Sequence, residues 1–460
     1  MNEHLHFMGI GGVGMSGLAR WYRAEGYEVS GCDKQRSQLT DELEAEGIKV
    51  YTGHDSEHLS GVTTLISTMA VADSEPELTA ASHIRSIKRI ALLAELFSKR
   101  QAIGVTGTHG KSTTTGMLTT IFLDQKDASV LLGANLPRLK GNMRYSKSPY
   151  LLAEVDESDP GFAQLKTQIS VITNLENDHI AEGFSERRNY HASYADLEQA
   201  VLSFAANSKQ IIYCGDWLSL ERLVGQQKNA FSYGLNKYAD YAITDLHLFS
   251  TGSSFTLRTP KGTLFPVKLT VPGEHNVLNA TAALSAADLA GLDLAEASNS
   301  LKSYSGVGRR WQQWGNIKGA LVIDDYAHHP TEIAATLKTA RQTGRRVRAV
   351  LQPHRWIRTA QHWPEMADAA SLADEVLVMD IYGAGETPID NISPDLIVER
   401  INLNGKPAYY YSFEDAKDYL AETTKSNDLV ITLGAGNVWQ IAEGLVQRLE
   451  QKLNSEASHA

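Results

Sequence analysis

Sulfur is scarce in this chain. Its 460 residues include 2 cysteines, Cys32 and Cys214, far apart and in no C-x-x-C pair. That argues against a disulfide-stapled scaffold and favours a reduced, cytoplasmic setting. Long apolar runs are missing too; none approaches the roughly 18 to 20 residues that would span a bilayer. The opening "MNEHLHFMGIGGVGM" has no basic stretch ahead of an apolar one, so it does not read as a secretory signal. Basic charge is in deficit, with 43 Lys and Arg against 54 Asp and Glu, a net −11. A chain of that sign has no general attraction for nucleic acid or anionic membrane. Its basic clusters, "GVGRRW" and "QPHRWIRT", therefore invite local explanations.

What is present is a globular composition, 42% hydrophobic and 21% charged, on a chain too long for one ordinary core. Strand-like and helix-like stretches alternate throughout, which predicts an α/β fold with parallel sheets. Three units are expected, at residues 1–98, 99–312 and 313–460. The first opens on the strand "HLHFMGI" and a helix ending near Gly26. The second opens on "AIGVTG" and the helix "STTTGMLTTIFLD". The third carries the strands "GALVIDD", "VRAVLQP", "EVLVMDI" and "DLVITLGAG". The polar end of the tail "QRLEQKLNSEASHA" is expected to fray.

Two glycine loops carry the chemistry. Gly9-Ile10-Gly11-Gly12-Val13-Gly14 matches G-x-G-x-x-G between a strand and a helix. Glycine lets backbone N–H groups approach a diphosphate, and the helix N-terminus favours its charge. Asp33 ends the next strand, where a dinucleotide fold keeps a ribose-binding acid. On these residues alone NAD, a nucleotide sugar and a purely structural turn all remain open. The second loop, "GVTGTHGKST" at 104–113, departs from G-x-x-x-x-G-K-[ST] because Val105 stands at the first glycine position. Lys111 and Ser112 nevertheless follow in the order that phosphate and Mg²⁺ chemistry needs. Two acidic strand ends accompany them: Glu154, Asp156, Glu157 and Asp159, then Asn174, Glu176, Asp178 and His179. Hard oxygen donors with one imidazole suit Mg²⁺. Zinc is not expected there, since the histidines are neither at H-x-x-x-H spacing nor beside cysteines.

Together "GTHGKST" (107–113), "AEVDESD" (153–159), "TNLENDH" (173–179), "GEHNVLNATAA" (273–283), "GVGRRW" (306–311) and "DDYAHHPTEI" (324–333) resemble the Mur ligases of bacterial cell-wall synthesis. The motifs appear in that family's order along the whole chain. Its loop has the form T-G-T-x-G-K-[ST], so Val105 is no defect in that company; Ser112 stands where the family usually has Thr and keeps the hydroxyl. "GIGGVGMSGLA", "QPHRWIRT", "YGAGE" and "GAGNVW" resemble the branch that adds L-alanine to UDP-N-acetylmuramate. The rival readings are the tripeptide ligase of peptidoglycan recycling, an NAD-dependent oxidoreductase and a non-catalytic nucleotide-sensing module.

The resemblance implies three α/β domains: a Rossmann-like UDP-sugar domain, a central P-loop-type ATP domain and a Rossmann-like amino-acid domain. It implies an ADP-forming ligase acting through an acyl phosphate, with a place in cell-wall biogenesis and thereby cell shape and division. Gly9, Gly11, Gly12, Gly14, His54 and Ser67 are then expected on the UDP-sugar. Gly107, Thr108, His109, Gly110, Lys111, Ser112, Thr113, His275, Asn276, Asn279, Arg309, Asp325 and Tyr326 are expected on ATP. Ser112, Glu154 and His179 are expected to hold two Mg²⁺ ions. His354, Arg355 and Arg358 are expected on the amino acid, the two arginines sharing one helical face at i, i+3. Lys111, Glu154, His179 and Arg310 are the expected catalytic groups. Of the adjacent His328 and His329, one is expected to face the cleft.

Overall fold

The computed structural model describes residues 3–69, 71–181 and 191–457. Among them the chain forms a three-domain α/β fold with sheets of five, ten and six strands. By packing it divides into two units: Met1–Asp245, Phe255–Lys268 and Leu278–Tyr304 in one, and Leu246–Ser254, Leu269–Val277 and Ser305–Ala460 in the other.

In the first unit, five parallel strands lie in the order Lys49–Thr52, Glu28–Asp33, His4–Met8, Thr64–Ser67, Arg85–Lys88. The order reverses at His4–Met8, so a crevice opens beyond that strand's carboxyl end, where Gly9–Gly14 turns into the helix Val13–Glu25. Leu5, Phe7 and Met8 are buried, as the apolar run predicted. The helix stops at Gly26, whose φ of 101° is the left-handed conformation that ends helices. Two strands escaped the sequence reading, Lys49–Thr52 and Arg85–Lys88; both are short, polar and largely unburied, so no apolar run marks them.

The same unit holds the mostly parallel run Ala230–Gly234, Ser208–Cys214, Thr167–Ile172, Gln101–Thr106, Tyr150–Glu154, Ser129–Leu136, closed by the antiparallel edge Gly141–Arg144. Gln101–Thr106 lies inside it and leads into the second glycine loop and the helix Lys111–Gln125. That helix is buried from Ser112 through Phe122, so its sequence carries no polar face. Its threonines avoid unmet hydroxyls by bonding backward along the helix: Thr115 donates to the Lys111 carbonyl at 2.9 Å, Thr119 to Thr115 at 2.7 Å and Thr120 to Gly116 at 2.9 Å.

The sheet of the second unit runs Gln312–Ile317, Ala320–Asp325, Asp428–Leu433, Arg346–Leu351, Glu375–Val378, Ala408–Tyr410. All pairs are parallel except the first. That first edge strand, polar "QQWGNI", was also invisible in the sequence. Apolar cores cover both faces, one around Ile333, Leu337 and Met366 and the other around Leu420, Ile441 and Leu445.

One close approach holds the first glycine loop on its sheet. At Gly31 a Cβ would stand 2.5 Å from the Phe7 carbonyl oxygen and 2.5 Å from Ile10 Cδ1. Ile10 sits inside the glycine loop, so any side chain at 31 pushes the loop off the sheet. Gly31→Ala is expected to lose about 1–3 kcal/mol of stability, the usual scale of overpacking, measured as a lowered urea midpoint.

Candidate active site

The second glycine loop is fixed by the strand end opposite it. Asn174 Oδ1 accepts from the His109 N–H at 2.7 Å, and Asn174 Nδ2 donates to the His109 carbonyl at 3.0 Å. The Thr108 hydroxyl accepts from the Glu176 N–H at 2.9 Å, and His109 Nε2 meets Glu176 Oε2 at 2.6 Å. Gly107 and Gly110 have φ of 125° and 83°. A Cβ at Gly107 would collide with Thr173 and Asn174, and one at Gly110 with the Asn279 amide. Both glycines are therefore required by conformation and by space. Gly110 precedes the first turn of Lys111–Gln125, leaving the N–H groups of Lys111, Ser112 and Thr113 at a helix start suited to anions.

Lys111 is the charged centre. Its Nζ donates to the carbonyls of Gly107 at 2.7 Å and Thr108 at 3.2 Å, and lies 2.7 Å from Glu157 Oε2. Burial opposes its charge, yet Glu157, Asp156 and Glu154 hold its pKa above the ordinary lysine value. The two neighbouring acids are driven apart. Burial raises Glu157 against the pull of Lys111, whereas Asp156 falls to about 2 because Lys111, Arg89 and His179 outweigh its burial. Glu154 Oε2 accepts from the Gly133 N–H at 2.8 Å. His179 Nε2 lies 3.5 Å from Asp178 and 3.8 Å from Glu157, on a backbone with φ of 59°. Ser112 is buried at the helix start. In sequence Glu157 is one of several acids after the strand Tyr150–Glu154 and nothing in its spacing singles it out. Only the fold shows that the turn after Glu154, stabilised by the Ser158 N–H on Asp156 Oδ1 at 3.1 Å, returns Glu157 to the lysine.

Asn279 accepts from Thr114 Oγ1 at 3.2 Å, so it braces the helix that begins the loop's anion site. In the second unit, Asn276 Nδ2 donates to the Pro272 carbonyl at 2.7 Å. His275 is held neutral: burial pushes its pKa down to about 4, with Arg310 adding to the fall and Glu332 opposing it.

Around Ala320–Asp325 the residues form a tight set. Arg310 Nη1 donates to Glu332 at 2.9 Å. The Arg309 guanidinium bonds Asp324 at 3.0 Å and the carbonyls of Gly434 at 2.6 Å and Gly436 at 2.8 Å. Both guanidiniums lie about 5 Å from the centre of the Tyr326 ring. Asp325 accepts from the N–H groups of Trp311 at 2.8 Å and Ala327 at 2.9 Å. His329 is largely used as the cap of the helix Pro330–Arg341. His328 instead stands against the His354 ring, 5.5 Å between centroids. His354 stacks on Tyr382 and its Nδ1 is 3.2 Å from Arg358 Nη1.

One expectation is corrected. Arg355 and Arg358 do not share a helical face, because Arg355 is the residue before the helix Trp356–Ala370, with φ of 69° and ψ of 137°. The Arg355 N–H is committed to the Tyr382 carbonyl at 2.8 Å, which holds that residue out of the helix.

At the first loop, the Gly9 N–H donates to the Cys32 carbonyl at 2.8 Å and the Gly11 N–H to Asp33 Oδ2 at 2.9 Å. Asp33 thus bonds the loop backbone. Gly12 begins the helix, and Gly14 lies against Arg89, where a Cβ would be 3.1 Å from Nη1. His54 Nδ1 is 3.3 Å from Glu77 Oε1, and Ser67 Oγ is buried without a hydrogen-bond partner at the end of its strand.

A glycine loop at a buried helix start, a lysine and converging carboxylates on a parallel sheet define a nucleotide-phosphate-binding α/β protein. The chain belongs to the Mur ligase family. The family's catalytic domain matches residues 4–101, its middle domain 105–287 and its glutamate ligase domain 309–436. The chain is 40% identical to a UDP-N-acetylmuramate–L-alanine ligase of Deinococcus radiodurans, over 96% of this chain and 93% of that one. It is 37% identical to the ligase of the same name from Geotalea uraniireducens, over 98% and 99%. The crystal structure of UDP-N-acetylmuramate–alanine ligase from Thermotoga maritima matches it with a TM-score of 0.82 and 27% identity, covering 98% and 99% of the two chains.

The His275 imidazole yields a pH signature. Its folded pKa near 4 lies below the ordinary 6.5, so the unfolded chain binds the extra proton between those values. The stability it contributes is present above about pH 6.5 and lost as pH falls toward about 4. In ligand-free protein, His275→Gln should flatten the fall in urea midpoint between pH 6.5 and 4.5; an unchanged slope would refute the assignment.

Proposed function

We propose that this chain joins L-alanine to the carboxylate of UDP-N-acetylmuramate, cleaving ATP to ADP and phosphate, in cytoplasmic peptidoglycan precursor synthesis. The observation that carries the reading is likeness over nearly the whole chain, at 35–40% identity, to ligases of that name. Free carboxylates are poor electrophiles with a bad leaving group. Phosphorylation converts the muramic carboxylate to an acyl phosphate, the alanine amine attacks its carbonyl, and phosphate departs. An anion must approach an anion in the first step, so electrostatics has to carry it.

The roles follow the proposed division into residues 1–98, 99–312 and 313–460. In the first part, the N–H groups of Gly9–Gly14 and the helix behind them receive the diphosphate of the UDP-sugar, with His54 and Ser67 beside it. In the second, Gly107–Thr113 cradles the ATP phosphates, and Lys111 exchanges its loop carbonyls and Glu157 for phosphate oxygens. His275, Asn276 and Asn279 line the adenine side. Arg309, Arg310, Asp325 and Tyr326 complete the nucleotide site, with Arg310 offered to the transferring phosphate. In the third, Arg355 and Arg358 take the alanine carboxylate and His354 its ammonium.

The donor set fits Mg²⁺. Glu154, Asp156 and Glu157 all act on the Lys111 ammonium, leaving negative charge that a dication offsets. Ser112, Glu154 and His179 are the residues that would hold it, as two ions, and when bound it neutralises phosphate charge.

The decisive measurement is phosphate release with ATP, Mg²⁺ and UDP-N-acetylmuramate, offering L-Ala, Gly, L-Ser and the murein tripeptide separately. L-Ala-dependent release is expected; its absence would overturn the reading. Lys111→Ala should abolish turnover while the circular dichroism spectrum is kept, and activity within a few-fold of wild type would remove Lys111 from the chemistry. Glu157→Gln leaves the lysine its loop carbonyls but not its counter-charge. It should lower kcat/KM about 10-fold, the scale of one charge-assisted hydrogen bond.

A further inference from the structure

Beneath the first glycine loop lies a second cluster that the ligase reading does not use. His6 is in the strand His4–Met8, Cys32 in its parallel neighbour Glu28–Asp33, His58 in the short turn Ser56–Leu59, and Glu77 in the first turn of Pro76–Ala80. One ligand atom from each lies within 4.8 Å of all the others. His6, Cys32 and Glu77 are each 0% exposed. Four tetrahedral zinc ligands at about 2.0–2.3 Å from the metal stand roughly 3.3–3.8 Å apart, so small side-chain rotations close the set. Cys32 Sγ is already 3.2 Å from Glu77 Oε1, and His58 Nδ1 is 3.0 Å from the same oxygen.

Hydrogen bonding alone leaves this cluster incomplete. Glu77 Oε1 is crowded by Cys32, His58 and His54, while Glu77 Oε2 is buried with no partner. His6 Nδ1 is engaged by the Ser30 hydroxyl at 2.9 Å, and His6 Nε2 is buried with no partner. Two unmet polar atoms in one fully buried set each carry a desolvation cost that a cation would relieve. The surroundings would suit a metal ion. Ser30 fixes the His6 ring so that Nε2 is the free ligand, Tyr51 stacks on His58 at 4.2 Å, and Met8, Leu65, Val71 and Ala81 form an apolar shell with Cys32.

We propose that His6, Cys32, His58 and Glu77 form a structural zinc site in the first α/β domain. One thiolate, two imidazoles and one carboxylate suit Zn²⁺ and are too soft for Mg²⁺. Four protein ligands close the coordination, so the site holds structure and does no chemistry on a substrate. Binding releases the Cys32 thiol proton to solvent. Sequence spacing had argued against zinc beside the central carboxylates. The first domain is different, since His54 and His58 do stand at H-x-x-x-H spacing and Cys32 reaches them only through the fold. Because the Cys32 carbonyl receives the N–H groups of Gly9 and Ile10, the ion would also stiffen the glycine loop from below.

The test uses full-length, tag-free protein stripped by chelator. Zn²⁺ titrated against a chromophoric competitor should bind one ion per chain with sub-micromolar Kd, and Cys32→Ser should weaken it at least about 100-fold. Loaded with Co²⁺ instead, the wild type should show a thiolate-to-metal charge-transfer band and strong tetrahedral d–d bands, both retained in Cys214→Ser. Absence of the stoichiometric tight ion, a cobalt spectrum without the thiolate band, or a band that vanishes in Cys214→Ser overturns the site. So does a folded Cys32→Ser variant with wild-type affinity. Should Cys32→Ser not fold, the Cys214→Ser spectrum decides alone, because Cys32 is then the remaining cysteine.

Discussion

The structure around the second glycine loop depends on keeping one ammonium charged inside protein. An isolated buried lysine would shed its proton. Lys111 keeps it because two loop carbonyls and Glu157 meet it directly, with Asp156 and Glu154 adding to the field. Those carbonyls face the lysine only because the loop is folded tightly. That fold in turn requires glycine at 107 and 110 and the two-way amide latch from Asn174. The strand ends supply the acids, the helix supplies the N–H groups, and the lysine stands where they meet. An anion arriving at this loop, as proposed for the ATP phosphates, would find the lysine and the N–H groups already in place, the condition for electrostatic catalysis.

The same cluster shows how neighbouring carboxylates acquire different jobs. Asp156 and Glu157 are adjacent in sequence, yet one is driven to about 2 and the other is raised. Glu157 is raised by its burial and by the neighbouring charge of Asp156 although it pairs with Lys111, whereas for Asp156 the fields of Lys111, Arg89 and His179 outweigh burial. In the second unit the contrast is between paired arginines. Arg309 is spent on Asp324 and three carbonyls and acts as a brace, while Arg310 pairs with Glu332 and, among the described residues, with no other acid.

How much of this was legible in the sequence depends on what each element buries. Strands such as "HLHFM" and "QAIGVT" are apolar because both faces are covered, and they announced themselves. The edge strands Lys49–Thr52, Arg85–Lys88 and Gln312–Ile317 bury little and carry ordinary polar residues, so nothing in their composition distinguished them from loops. The glycine loops were readable from their glycine spacing, and Gly9, Gly107 and Gly110 do stand at positive φ, where glycine is favoured. Glu157 was not, since its role comes from a turn and from nothing in its own type. Arg355 was misplaced because i, i+3 spacing assumes a helix already begun, whereas its N–H is tied to a distant carbonyl at Tyr382.

The His6, Cys32, His58 and Glu77 cluster marks the outer limit of such reading. Its members are spread over some seventy residues and four elements, and each alone reads as an ordinary buried or half-buried side chain. Parallel pairing is what joins them: the register that sets Met8 beside Cys32 also places His6 and Cys32 two positions apart along neighbouring strands, on a common side of the sheet. The strand end then serves two purposes through one residue. The Cys32 carbonyl holds the glycine loop above, and its thiol faces the histidines and Glu77 below. A substitution at 32 therefore acts on the loop as well as on the buried cluster. Any change in ligand affinity there has to be separated from a change in metal affinity before it is assigned to either.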